Sequence, residues 1–354
     1  MIKSGTILSV LTLLFVHLLF AGTVHAQLWH ALPTISETAN KPDAQFSNDE
    51  KKVFYLTGNG KVENLWSAVV ADKWGRIIAG PKNPPIPITK FIDHGVVRFF
   101  HLLGSPEILY MRATDNGKDY HIYQIADDGS GTPQDLTPGP DGVTNIIIGA
   151  SYNGRYVYYT SNKVNRDKVD VYRYDTQQYT SEDVFPNDKD FVALAWSRDQ
   201  TKLLLQRPST GQLFLYDMET TERDPITLPS ADPLTEALFD PTSQNIVVLQ
   251  KHGDATIENE RAINASQWTA SNEHADWIDY SPSGKYQISR MGTTWQVMDM
   301  SSHRPLALPA TAHPLAFASK ETMLLYAIPS PNATEQLYLY SIPLKSETLL
   351  STLQ

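Results

Sequence analysis

"GASYNGRYVYYTSN", residues 149–162, admits two readings, and the choice between them decides the fold. Gly149-Ala150-Ser151 looks like the turn that exposes a nucleophilic serine in hydrolases, whereas Arg155 to Thr160 reads as a strand leaving an Asn153-Gly154 turn. A nucleophile elbow needs G-x-S-x-G between a buried strand and a helix, with the second glycine admitting close packing. Here Asn153 stands in the fifth place and a tyrosine-rich strand follows. Ser151 therefore reads as a hairpin serine, and no catalytic residue is assigned to this stretch.

The same hairpin recurs along the chain. Second strands after a polar turn are legible at "KKVFYLT" (anchor Val53), "EILYMR" (Ile108), "RYVYYT" (Tyr156), "KLLLQR" (Leu203), "NIVVLQ" (Ile246), "KYQISR" (Tyr286) and "TMLLYA" (Met323). Their anchors are 55, 48, 47, 43, 40 and 37 residues apart. Upstream, most copies carry an aromatic, a small polar residue and a turn, and Ser47, Ser197 and Ser281 repeat the place of Ser151. An independent marker has the same period: an Asp closes the third strand at Asp72, Asp127, Asp175, Asp217 and Asp299, with Ser341 following 42 residues later. Both markers blur around "ATIENERAINASQWTA". The Asp residues are expected in Asx-turns rather than as ligands.

A unit of about 40 residues with four short strands is a propeller blade. The expected fold is all-β, a seven-bladed β-propeller of four-stranded antiparallel blades over residues 27–354. The fourth strand of the last copy, "SETLLSTL", is weak, so "LWHALPTIS" (28–36) is expected to pair into the last blade and close the ring.

"PQDLTPGPDG", "SYNGRYVYYTSN", "KVDVYRYD" and "AWSRDQTKLLL" resemble the blade signatures of TolB-like, WD40-like propellers. They are equally similar to those of the N-terminal propeller in prolyl-oligopeptidase and dipeptidyl-peptidase IV relatives. The resemblance implies a fold superfamily more than an activity. The sequence departs from both groups: nothing corresponds to the α/β domain that precedes the TolB propeller, nor to the hydrolase domain of the peptidases.

Residues 1–26 are set aside as a secretory signal: Lys3 precedes the apolar Ile7–Phe20, and Val24-His25-Ala26 offers a cleavage site. A periplasmic or secreted location follows. No second apolar run approaches the ~20 residues of a bilayer span, so no stable membrane insertion is expected. With no cysteine, the protein rests on its core rather than on disulfides. The formal charge of −10 argues against nucleic acid as a partner.

No metal and no cofactor are expected. No two of the ten histidines lie at i,i+2 or i,i+4, and neither H-E-x-x-H nor a phosphate-binding glycine loop occurs. One pattern points to a surface. Four residues beyond each anchor stand Thr57, Arg112, Thr160, Arg207, Gln250, Arg290 and Ala327. Arg112, Arg207 and Arg290 are candidate binding residues for a carboxylate or phosphate group. Local pairing with Asp115, Glu222 or Asp276 is the competing expectation. The expected function is a non-catalytic, protein-binding or scaffolding propeller of the cell envelope, with a protein or peptide partner or an anionic glycan group. The alternative is a propeller hydrolase, lactonase or lyase with its site at the central channel mouth.

Overall fold

The structure, a computed structural model, describes residues 44–353 apart from 59–61, 73–75, 80–82, 103–104, 152–153, 271–274 and 331–334. The expected secretory signal and the closing segment 28–36 lie outside the described residues. Seven four-stranded antiparallel sheets follow one another, each a simple meander in sequence order. Their inner strands are Ala44–Phe46, Val96–His101, Asn145–Ala150, Val192–Trp196, Leu234–Phe239, Trp277–Tyr280 and His313–Phe317, in blades 1 to 7. Among the described residues no helix is long and apolar enough to cross a membrane.

Burial explains why the second strands read as apolar runs rather than as alternating patterns. Each is covered on both faces by neighbouring blades, so Val53 to Leu56, Ile108 to Met111 and Ile246 to Leu249 are buried without interruption. An outer strand such as Thr180–Phe185 instead exposes four consecutive residues. Seven apolar clusters fill the seven seams. Val53 and Tyr55 of blade 1 meet Leu325, Leu337 and Leu339 of blade 7 and so close the ring. Among the described residues the seam between blades 5 and 6 holds the smallest cluster, with Val247 and Leu249 against Ala275 and Ile278. It follows the stretch where the sequence repeat blurs.

The last blade has four described strands of its own. Its fourth strand is Ser346–Leu353, the chain's own C-terminal segment, paired along Glu335–Ser341 and contributing Leu350 to the closing seam. Its polar start, Ser346-Glu347-Thr348, suits an outer strand exposed on one side.

The hairpin serines behave as their repetition implies. Ser47, Ser151, Ser197 and Ser281 each accept, through Oγ, the N–H of the residue five places on, at 2.9–3.0 Å. Asp240 does the same through its carboxylate at 2.9 Å. Three places after these residues the backbone turns left-handed, at Glu50 (φ 58°), Gly154 (66°), Gln200 (65°), Ser243 (56°) and Gly284 (79°). Asp175, Asp217 and Asp299 cap the turns after the third strands, each Oδ1 accepting two backbone N–H groups. These three are turn residues, as the spacing predicts, whereas Asp127 pairs with Lys52 at 3.1 Å and faces His101.

Strand pairing corrects the repeat register by one residue in three blades. The residues opposite the last inner-strand position are Val53, Ile108, Val157, Leu203, Ile246, Gln287 and Leu324. The anchors Tyr156, Tyr286 and Met323 are therefore one place early. In a strand, a one-residue slip moves a side chain to the opposite face.

Candidate functional site

The turns that join first to second strands surround one end of the central channel, and there the blades leave a cavity of about 600 Å³. All seven inner strands line it. Two residues before each hairpin turn, the chain presents Gln45, Phe100, Gly149, Ala195, Leu238, Asp279 and Ala316 to it. Five of these are small or apolar, one is an amide and one a carboxylate. The next residues along add aromatic walls, including Phe46, Trp196, Phe239, Tyr280 and Phe317.

Close packing sets the shape of one wall. A Cβ at Gly149 would lie 1.9 Å from Trp196 Cη2, so only glycine lets the indole lie across the third blade. Trp196 also stacks on Tyr158, with centroids 5.0 Å apart. Five inner strands carry a bulge just before this level, at Val97, Ile148, Leu194, Thr235 and Leu315. The bulges re-aim the side chains that follow them.

Asp279 is the outstanding group. It sits in a regular strand of blade 6, reachable from the cavity yet surrounded by protein. Its carboxylate accepts the Tyr280 N–H at 2.8 Å, and it is paired with no cation among the described residues. Burial pushes its titration up to about 6 in spite of that hydrogen bond. Tyr280 is pushed far up by burial, with Glu258, Glu260 and Asp240 adding to the effect, so its hydroxyl stays protonated. Burial lowers His101, which faces Asp127 at 3.4 Å and stacks on Phe54. Arg198 is tied to the neighbouring blade through the Pro241 carbonyl, 3.1 Å from Nη1.

Ser151 lines the cavity wall but is 4% exposed and spends its Oγ on the hairpin. Among the described residues no three His, Cys, Asp or Glu side chains converge as metal ligands.

The three sequence-selected arginines lie elsewhere, at the far ends of second strands and so toward the opposite face of the ring. Arg112 lies over Phe91, 4.0 Å from the ring centroid, donating to the His94 carbonyl (3.1 Å) and to Asp93 (3.2 Å), not to Asp115. Arg207 lies over Phe191 and Phe214. Arg290 lies over Trp295, and its backbone carbonyl, not its side chain, meets Asp276. By strand parity Arg112 belongs to the seam of blades 1 and 2, Arg207 to that of 3 and 4, and Arg290 to that of 6 and 7. Each is thus placed against aromatic rings of its own seam.

Sequence motifs passed over Asp279 because no linear pattern marks a channel residue. Its signal was positional: when the repeats are aligned on the hairpin serine, one of the seven residues two places earlier is charged.

No family model and no curated protein matches the sequence. Solved structures do. TolB from Acinetobacter baumannii is 13% identical, over 82% of this chain and 77% of that one, with a TM-score of 0.48. An oligogalacturonate lyase in complex with manganese is 9% identical, over 84% and 88%, with a TM-score of 0.61. A prolyl endopeptidase is 12% identical, over 94% of this chain and 54% of that one, with a TM-score of 0.59. This chain spans about half the length of that endopeptidase. The chain has the seven-bladed propeller fold, and at these identities the likeness establishes the fold alone.

Proposed function

We propose that this protein is an exported, non-catalytic binding propeller of the cell envelope that takes a protein or peptide segment into the channel-mouth cavity. The observation that carries this reading is the cavity itself. Its volume falls within the 300–1,000 Å³ usual for ligand sites, and its walls are mostly apolar and aromatic with a few fixed polar groups. Export rests on the signal-like residues 1–26.

The enzyme reading draws on one observation. A carboxylate titrating near 6 in a concave site has the poise of a general base. Against it, Asp279 shares no side-chain hydrogen bond with a second ionisable group among the described residues. The lyase neighbour lends its fold to this alternative and nothing of its chemistry.

The test fills the cavity. Ala316 lines it from blade 7, and Ala316→Trp projects an indole inward. Partners captured from envelope extract by the wild-type protein are expected to be lost with a folded Ala316→Trp variant. Equal capture by both places the binding surface outside the channel.

A further inference from the structure

Resting on the reading of the cavity as a ligand site, we infer that its ligand presents an ammonium group on an apolar or aromatic body, with Asp279 as the counter-ion. The ring of seven channel positions holds one charge, at Asp279, and that charge has no cationic partner among the described residues. The other ionisable groups on the walls are His101, Arg198, Glu236 and Tyr280. His101 is turned to Asp127, Arg198 reaches the Pro241 carbonyl, and Glu236 has a partner, although its Oε2 is buried without a hydrogen bond. Tyr280 stays neutral.

An unpaired carboxylate in a low-dielectric cavity is costly alone and attractive to a cation. An ammonium group entering there exchanges its hydration for that carboxylate and for the π faces of the aromatic walls. A carboxylate or phosphate ligand would instead meet Asp279 as a like charge. The formal net charge of −10 favours the approach of cations over anions. The apolar walls set the rest of the ligand: a bare inorganic cation leaves them uncovered, whereas an amine on a ring or alkyl body fills them.

Three probes of one shape separate these terms: 2-phenylethylamine, 2-phenylethanol and 3-phenylpropanoate. Each is titrated against the purified protein at pH 7.5 and low salt by ligand-observed NMR, and again with Asp279→Asn. The amine is expected to bind at least tenfold more tightly than the alcohol, with the carboxylate weakest. Asp279→Asn should remove the amine's advantage over the alcohol. Equal binding of amine and alcohol, or preference for the carboxylate, overturns the inference while leaving the cavity as the ligand site. Binding by none of the three overturns both. Should the Asn variant fail to fold, the ratio of amine to alcohol on the wild-type protein decides the question.

Discussion

At the scale of single residues, Asp279 shows the tension between stability and function most clearly. Its folded-state titration near 6 stands above the ordinary carboxylate value of 3.8, so folding favours the protonated form. That favourable contribution is complete below about pH 4 and is lost as the pH rises through 6. Above it, the ionised group costs the fold on the order of 1–3 kcal/mol. Asp279→Asn should therefore raise the melting temperature at pH 8 and change it little at pH 4, measured by circular dichroism at both. A gap independent of pH would show that the carboxylate is solvated as in a surface aspartate.

Gly149 makes the complementary case. A methyl group there meets the Trp196 indole, so Gly149→Ala is expected to displace the cavity wall, lower stability by about 1–3 kcal/mol and quench or shift indole fluorescence. Unchanged fluorescence and melting would mean that the two blades separate easily. The arginines give the opposite pattern. Arg112→Ala and Arg207→Ala should each cost about 0.5–2 kcal/mol through lost stacking on Phe91, Phe191 and Phe214 while leaving cavity binding intact. Salt-sensitive loss of an anionic ligand in these variants would instead assign a second binding face to that end of the ring.

At the scale of elements, the turns between first and second strands hold neighbouring blades in register. Ser319 Oγ and the Lys320 N–H donate to Glu50 Oε1 at 2.6 and 2.7 Å, across the closing seam. Ser283 donates to Glu321 in the same way, across the seam of blades 6 and 7. Both glutamates are buried and both occupy the left-handed place in their turns. Charge-assisted bonds of this kind contribute about 1.5–3 kcal/mol. Glu50→Ala should lower stability by about that amount in a urea melt, and an effect within ±0.5 kcal/mol would leave closure to the apolar seam alone.

The hairpin pattern was legible in the sequence because turn chemistry is local: Ser47, Ser151, Ser197 and Ser281 bond within five residues of themselves. Register was less so. Second strands buried on both faces lose the alternation that distinguishes one face from the other, and Tyr286 in place of Gln287 put Arg290 on the wrong side of its blade. The site was least legible, since Gln45, Phe100, Asp279 and Ala316 meet only when the ring closes.

At the scale of the whole molecule, closure depends on the chain's last strand meeting its first blade. Removing residues 346–353 strips the outer strand from blade 7 and Leu350 from the closing seam, and should abolish a single cooperative transition. A ring so closed holds one end of its channel open as an aromatic cavity around Asp279, which pairs with no cation among the described residues, and the central claim is that this carboxylate meets the ligand. The most direct measurement follows the Asp279 side-chain carboxyl by carbon-13 NMR through a pH titration, with and without saturating 2-phenylethylamine. The account predicts a midpoint near 6 in the free protein that falls by at least one unit in the complex, because a paired ammonium favours the charged form. A midpoint that stays where it was when the amine is bound would contradict it.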